Sequence, residues 1–220
     1  MTELHFVIFI MPLDISQLND PFVLFGNGEI PTHNIPTNIL KSAGTILCAD
    51  GGADKLKRLG FQPDLIFGDM DSLSLDRSEY NCDFVELDDQ SKTDLEKSLE
   101  WCCENGITEL SLLGFSGEQD DHNMAALWTL VSFSEKMELT FYSNTSKIIC
   151  VKGVARFDSF TGQTISIIPT RENIEISADG LKYPLNKSIL NPPSFGTRNS
   201  AKVDHFSIQT NGLVWVFLNY

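Results

Sequence analysis

The segment TILCADGG at residues 45–52 indicates the fold of the first part of this chain. Thr45 to Ala49 form a short apolar run with the length and composition of a buried β-strand. An acid and two glycines follow directly, and a segment of helical period comes next. A strand, a glycine turn and a helix in this order form the unit from which parallel sheets covered by helices are built. The segment therefore predicts an α/β architecture.

The same alternation of strand and helix runs from residue 21 to about residue 142. Apolar side chains also repeat at helical spacing in two segments, and both stripes are expected to face the sheet. The predicted strands are 22–25, 45–49, 65–67, 84–87, 109–113 and 138–142. One stripe consists of Leu95, Leu99, Cys102 and Cys103, and the other of Met124, Leu127, Trp128 and Val131.

After residue 144 the pattern changes to β-rich segments separated by turns. The predicted strands are 148–151, 164–169, 174–177, 181–185, 206–210 and 213–218, and the predicted turns are Lys152-Gly153, Thr161-Gly162, Asp179-Gly180 and Asn211-Gly212. We therefore predict an α/β domain with a mainly parallel sheet at 1–145 and an antiparallel β domain at 146–220. No low-complexity linker separates them, so we expect them to pack closely.

The charge balance limits the class of partner. The 220-residue chain carries 30 acidic and 16 basic side chains, and its net charge of -14 argues against a nucleic-acid partner. The negative field mildly favours a cationic small molecule, whereas an anionic nucleotide would need a metal ion to screen it.

The cysteines and the apolar runs indicate a cytoplasmic protein without a membrane span. Five cysteines form no C-x-x-C pair and leave an odd thiol, which argues against a disulfide framework. No stretch approaches the roughly 20 apolar residues that cross a bilayer. The apolar run at 6–11 lacks a basic leader, so we predict a strand there and not a signal peptide. Whether the chain starts at Met1 or at Met11 stays open.

Acidic clusters follow the predicted strands, at the edge where open α/β sheets bind ligands. Asp50 precedes Gly51 and Gly52, whose missing side chains would let the backbone approach a phosphate; a tight turn with a helix cap explains them equally well. Asp69 and Asp71 lie two residues apart after the next strand. In an extended segment they would point the same way and offer two oxygen ligands to one Mg²⁺ ion.

Two further clusters stand where helices are predicted to begin. Thr93 with Glu96 forms a capping-box pattern, and Asp94 suits the positive end of the helix dipole, but capping leaves Gln90 and Lys92 unexplained. A helix start beside a metal site also binds phosphate well. In the last cluster, 114–123, either Asp120 or Asp121 could be a plain helix cap. Four acidic strand ends at one sheet edge predict metal-assisted phosphoryl chemistry.

Six short motifs follow one another along residues 21–220. They are Ala49-Asp50-Gly51-Gly52-Ala53, Gly68-Asp69-Met70-Asp71-Ser72, Asp89-Gln90-Ser91-Lys92-Thr93-Asp94, Asp121-His122, Gly180-Leu181-Lys182-Tyr183-Pro184-Leu185 and Phe195-Gly196-Thr197-Arg198-Asn199. In this order they resemble the successive signatures of thiamine pyrophosphokinases. The resemblance implies an N-terminal α/β domain, a C-terminal β-sandwich, and a homodimer that binds thiamine where two chains meet.

The resemblance also implies a reaction and its residues. Thiamine's hydroxyl would attack the β-phosphorus of ATP in line, AMP would leave, and Mg²⁺ would bridge phosphate oxygens. The implied residues are Asp69, Asp71 and Asp94 for the metal, Asp50, Asp71 and Asp94 for catalysis, Asn27, Gly51, Gly52, Gln90, Thr93 and Asp121 for the nucleotide, and Tyr183 and Asn199 for thiamine. An aromatic ring at Tyr183 suits a cationic thiazolium. Which acid takes the hydroxyl proton stays open between Asp71 and Asp94.

Two rival functions remain at this point. Asp69-Met70-Asp71 after a hydrophobic strand superficially matches an aspartyl-phosphate phosphatase or mutase, which would form a phosphoaspartate without ATP. Alternatively, the chain is a nucleotide or thiamine sensor that has lost turnover. Ser91, Gln119 and Arg198 depart from the residues that many relatives carry at these positions. The departures at Gln119 and Arg198 keep the sensor function as an alternative.

Overall fold

The computed structural model describes residues 15–117 and 119–220, so the predicted strand at 6–11 lies outside the described residues. The helices are α1 (Asn34–Lys41), α2 (Asp50–Arg58), α3 (Asp94–Glu104) and α4 (Asp120–Phe133). The strands are β1 (Phe22–Phe25), β2 (Thr45–Ala49), β3 (Leu65–Gly68), β4 (Asp83–Glu86), β5 (Glu109–Leu113), β6 (Glu138–Tyr142), β7 (Ser146–Asp158), β8 (Thr164–Pro169), β9 (Glu175–Asp179), β10 (Leu185–Ile189), β11 (Asn199–Ser200) and β12 (His205–Asn219). No helix within these ranges is long and apolar enough to cross a membrane.

The first six strands form a parallel sheet in the order β4-β3-β2-β1-β5-β6. The chain moves outward from β1 to β4, returns to place β5 on the other side of β1, and then continues to β6. The order of the strands therefore reverses between β1 and β5. This arrangement confirms the predicted parallel α/β sheet and places a topological switch point at its centre.

Alternate residues of the central strands build two apolar layers. Leu24 of β1 packs with the inner faces of α3 and α4, whereas Val23 and Phe25 pack with α1 and α2 on the opposite side. Both layers exclude water from the sheet, since these three side chains are at most 1% exposed. Helices on both faces are what an all-parallel sheet requires, because its strands are apolar on both sides.

The face of α4 that packs on the core matches the predicted stripe only in part, through Leu127 and Val131. Leu95, Leu99 and Cys102 of α3 are buried as expected, but in α4 the expected stripe is wrong in part, because Met124 is 55% and Trp128 45% exposed. The buried residues of α4 are Ala126, Thr129, Leu130 and Phe133. Trp128 packs edge-on against Trp215 of β12, with ring centroids 4.9 Å apart.

The C-terminal strands are antiparallel and surround an apolar core of their own. β7 pairs with β12 along nearly its whole length, and β8 and β9 pair with different halves of β12. Isoleucines, valines and Phe206 from these strands form the core between them. This arrangement confirms the predicted antiparallel β domain. β7 also pairs with β6, so a single hydrogen-bonded sheet continues across the predicted boundary at 145/146.

Several predicted strand limits in this region are wrong. The strand predicted at 148–151 is part of the longer β7, and the strands predicted at 206–210 and 213–218 are one strand, β12. Two predicted turns fall inside these strands, where Gly153 has φ +86° and the pairing register shifts between Thr210 and Val214. Lys152-Gly153 in β7 and Asn211-Gly212 in β12 therefore lie at a bulge between the two paired strands, and the chain does not reverse there. The segment predicted at 181–185 contributes an isolated bridge from Leu181 to Ala201, and the strand begins at Leu185.

Candidate active site

A cleft of about 500 Å³ opens at the carboxyl ends of the parallel strands, beside the point where their order reverses. The loops that follow β1 and β5 hold each other there, since the Gly28 amide donates to the Gly114 carbonyl at 2.5 Å. Open α/β sheets bind ligands in the crevice at such a switch point, outside the carboxyl ends of the strands. The cleft is lined by the end of β2, by the segments after β1, β3, β4 and β5, and by the first turns of α3 and α4.

The structure brings six of the predicted site residues together in this cleft: Asn27, Asp69, Asp71, Gln90, Thr93 and Asp94. Asp50 opens α2 directly after Ala49, which lines the cleft. Gly51 and Gly52 do not line it. A Cβ atom at Gly52 would lie 2.7 Å from the Gly26 carbonyl oxygen, so this glycine allows α2 to pack against the loop after β1.

Asp69 and Asp71 lie at one turn, but the backbone between them is not extended. Met70 has φ +66°, in the left-handed region, and the Asp71 amide donates to Asp69 Oδ1 at 3.3 Å. This turn, and not strand alternation, keeps the two acids adjacent. Gln90 Nε2 donates to Asp69 Oδ2 at 2.9 Å, and together with the Asp71 amide it lowers the pKa of Asp69.

Asp54 of α2 anchors the loop that carries the two acids. Its carboxylate accepts from the Ser74 amide at 3.1 Å, from the Ser74 hydroxyl and from the Tyr80 hydroxyl. Burial raises the pKa of Asp54, but these hydrogen bonds outweigh it, and the pKa lies below its usual value. On the same helix, Lys55 Nζ donates to the carbonyls of Asn27 and Gly28 at 2.6 and 2.9 Å. Adjacent residues of α2 thus hold the loops after β1 and β3.

The start of α3 has the predicted capping box. The Glu96 amide donates to Thr93 Oγ1 at 3.2 Å, and the Thr93 amide donates to Glu96 Oε2 at 3.0 Å. Asp94 Oδ1 pairs with Lys97 Nζ at 2.8 Å, although the Lys97 side chain is only 6% exposed. Lys97 also lines the cleft. Lys97 is not among the predicted site residues, and the spacing of Asp94 and Lys97 on one helix face was the available signal.

The polar side chains of the segment between β4 and α3 hold one another, including Lys92, which helix capping did not explain. Ser91 donates its hydroxyl and its amide to Asp89 Oδ1, and these bonds lower the pKa of Asp89 to about 2. Lys92 Nζ lies 2.7 Å from Glu100 Oε2 and 3.3 Å from Asp89 Oδ2. Ser91 therefore stabilises the charged form of its neighbour Asp89.

The carboxylates at the cleft fit a magnesium ion that takes its other ligands from water and from the phosphates of a substrate. Among the described residues, no group of three His, Cys, Asp or Glu side chains is placed to hold a metal on its own. Mg²⁺ usually takes one or two carboxylates, several waters and substrate phosphates. Asp69 and Asp71 could provide that pair of hard oxygen ligands, whereas Asp94 is paired with Lys97.

The remaining predicted residues lie outside the lining of the cleft. Asp121 is in the first turn of α4, whose cap is Gln119, and its carboxylate accepts from the His122 amide at 2.9 Å. Tyr183 is 61% exposed, and Lys182 Nζ lies 5.5 Å from its ring. Asn199 Nδ2 donates to the Tyr183 carbonyl at 2.7 Å and Asn199 Oδ1 accepts from the Tyr183 amide at 3.1 Å. We call residues 182–183 and 198–200 the Tyr183 corner.

Two domain models of one known family match the two parts of the chain. The model described as "Thiamin pyrophosphokinase, catalytic domain" matches residues 36–142, and "Thiamin pyrophosphokinase, substrate-binding domain" matches residues 147–217. The chain belongs to the thiamin pyrophosphokinase family. This confirms the resemblance, and with it the expected activity of a thiamine diphosphokinase, which transfers pyrophosphate from ATP to form thiamine pyrophosphate. The phosphatase alternative has no support from these matches.

Individual thiamin pyrophosphokinases are similar to this chain in sequence and fold. Thiamin pyrophosphokinase 1 of Caenorhabditis elegans is 29% identical in an alignment of 181 residues, and the match covers 74% of this chain and 74% of that protein. The solved thiamin pyrophosphokinase from Candida albicans has a TM-score of 0.77 at 18% identity, covering 90% of this chain and 88% of that one. The structure from Bacillus subtilis has a TM-score of 0.75 at 19% identity, covering 90% and 98%. At these identities the solved structures support the fold.

Proposed function

We propose that the cleft binds Mg·ATP and presents its β-phosphorus to the hydroxyl of thiamine for in-line transfer. The observation that carries this proposal is the turn that holds Asp69 and Asp71 beside each other, at the switch point and next to the start of α3. Bound by these two acids, Mg²⁺ would screen the charge that moves onto phosphate oxygens during transfer. Such screening suits a chain with a net charge of -14.

The polar groups around the acids would orient the phosphates. Gln90 gives one N–H to Asp69 and has a second N–H for a phosphate oxygen. The Thr93 hydroxyl contacts Glu96, so Thr93 would act on the nucleotide through the helix start that it caps, where the first backbone amides have no partner within the helix. Asn27 and Asp121 complete the proposed nucleotide set, and Asp50, Asp71 and Asp94 the proposed catalytic set.

We further propose a homodimer in which thiamine binds between the cleft of one chain and the Tyr183 corner of the other. Neither Tyr183 nor Asn199 lines the cleft of its own chain, so a second copy could supply them. Exposed apolar side chains on α4 and near the Tyr183 corner, such as Trp128 and Phe195, suit burial against such a copy. The five cysteines all lie in the described ranges and form no disulfide, which supports the proposed cytoplasmic location.

The reaction is tested by incubating the purified chain with Mg·ATP, with and without thiamine, and separating the products by chromatography. We expect AMP and thiamine pyrophosphate in equal amounts, formed only when thiamine and Mg²⁺ are both present. Phosphate release without thiamine would indicate the phosphatase instead. Nucleotide binding without turnover would indicate the sensor.

The dimer is tested by mixing two variants that fail for different reasons. Asp71→Asn damages the cleft and Asn199→Ala damages the Tyr183 corner. If each site takes one element from each chain, a mixed dimer contains one doubly damaged and one intact site, so activity should rise on mixing and subunit exchange. If mixing restores no activity, each chain builds its own site, and the proposed shared site is wrong.

A further inference from the structure

Lys97 is a buried cation in the wall of the cleft. Its side chain is 6% exposed, and its ammonium nitrogen lies 2.8 Å from Asp94 Oδ1 and 3.4 Å from the Leu87 carbonyl oxygen. The described residues that line the cleft include one other lysine, Lys92, whose side chain is 39% exposed and pairs with Glu100 and Asp89. The two lysines therefore differ in burial and in partners.

The fold alone gives little reason for an ammonium group at this position. Position 97 is on the inner face of α3, where Leu95 and Leu99 on either side of it are apolar and buried. Burying a charge there costs free energy that an ion pair offsets only in part. Asp94 is 53% exposed and so does not need a buried partner for its own solvation. An apolar residue at position 97 would suit the packing of α3 better.

The surroundings of Lys97 are suited to a phosphate group. Asp94 is the first residue of α3, so the ammonium lies near the start of this helix, where the backbone amides and the dipole also favour an anion. An ammonium group has three N–H donors and can share them among several acceptors, so the pairing of Lys97 with Asp94 does not exclude a phosphate oxygen. Partial exclusion of water strengthens such a contact relative to one made by an exposed lysine.

We propose that Lys97 is a substrate-binding residue that donates directly to the polyphosphate chain while it remains paired with Asp94. This inference rests on the proposed function, because it assumes that the polyphosphate enters this cleft. It assigns to the protein a fixed positive charge that binds the phosphates in addition to the metal ion. The chemistry recognised is the pyrophosphate group, whether it belongs to ATP or is free inorganic pyrophosphate.

The test measures binding without metal and without turnover, by titration calorimetry. ATP, inorganic pyrophosphate and adenosine are titrated in EDTA into the wild type, into Lys97→Met and into Lys41→Met, a control with the same charge change at the exposed end of α1. We expect Lys97→Met to weaken ATP and pyrophosphate binding tenfold or more, the typical effect of losing a charged hydrogen bond. Adenosine binding should not change, and Lys41→Met should match the wild type.

Three results would overturn the inference. Binding of both phosphate ligands by Lys97→Met within about twofold of wild type would reduce Lys97 to a structural ion pair. An equal loss of adenosine binding would show a general collapse of the cleft. Failure of the wild type to bind either phosphate ligand in EDTA would overturn this inference, and a parallel titration of the wild type with Mg·ATP then shows whether the proposed function fails with it. Lys97→Gln, which keeps a donor for Asp94 but no charge, replaces Lys97→Met if that variant does not fold.

Discussion

The cleft and the Tyr183 corner use their polar side chains in different ways. In the cleft, the Asp69 carboxylate accepts from the Asp71 amide and from Gln90, the Asp71 carboxylate accepts from the Ser72 hydroxyl, and both keep acceptor sites for a ligand. At the corner, Asn199 gives both ends of its amide to the backbone of Tyr183. The first arrangement suits the groups proposed to bind the metal and the phosphates, and the second shapes a segment whose exposed ring is available for the proposed contact with thiamine. Substitutions in the two regions should therefore change different kinetic constants.

The largest expected effect is in the cleft. Asp71→Asn keeps the size of the side chain and removes a charged oxygen ligand, so we expect kcat/KM to fall about a hundredfold or more with little change in melting temperature. The measurement is the AMP and thiamine pyrophosphate assay over a range of Mg²⁺ concentrations. Asp83→Asn, at the opposite edge of the sheet, is the control and should keep wild-type kinetics. Wild-type Mg²⁺ dependence in Asp71→Asn would remove Asp71 from the proposed metal site.

An intermediate effect is expected at the Tyr183 corner. Asn199→Ala removes two hydrogen bonds to the Tyr183 backbone, so we expect the KM for thiamine to rise about tenfold while ATP affinity is unchanged. Asn211→Ala is a matched control, because Asn211 Oδ1 also accepts from a backbone amide, that of Glu175, at 3.0 Å. Both variants should lose about 1 kcal/mol of stability. Equal loss of ATP affinity in Asn199→Ala would show that the two regions do not differ as described.

The smallest effect is expected from substitution of Asp54, which anchors the loop that carries Asp69 and Asp71. The folded-state pKa of Asp54 is depressed, so its contribution to stability is complete above the unfolded-state value and is lost as pH falls through the folded value. Asp54→Asn should therefore be less stable than wild type by about 1 kcal/mol near neutral pH, and the difference should shrink below pH ~4. Urea unfolding from pH 3 to pH 7 measures it. Tyr80→Phe, which removes one of the three hydrogen bonds, should show a smaller difference of the same sign. A difference that grows as pH falls would contradict the assigned cause.

The sequence predicted the parallel sheet far better than the antiparallel strands. β1, β2, β5 and β6 have the predicted limits, because a strand covered on both faces is a compact apolar run between turn residues. In β7 and β12 the same glycine and asparagine signals form a bulge inside long paired strands. A local signal cannot distinguish a bulge from a reversal, since the difference depends on the partner strand.

The candidate site was predictable where one segment contains the whole signal. The Thr93 capping box and the Asp69–Asp71 pair are local patterns, and both are present in the structure. Lys97 was missed because a lysine within a helix is normally exposed, and its burial follows from how α3 packs on the sheet. The bonds of Asn199 to Tyr183 join residues 16 positions apart and required the tertiary structure.

The continuous sheet has a consequence for dividing this protein into fragments. The two family models meet between β6 and β7, yet these strands pair, and Ile148 and Trp215 from the C-terminal part belong to the core beneath α3 and α4. A fragment that ends at residue 145 would present an unpaired strand edge and lose part of its core, which favours aggregation. Fragments 1–145 and 146–220, coexpressed, should recombine through this edge, so the junction is a natural place for a split-protein reporter.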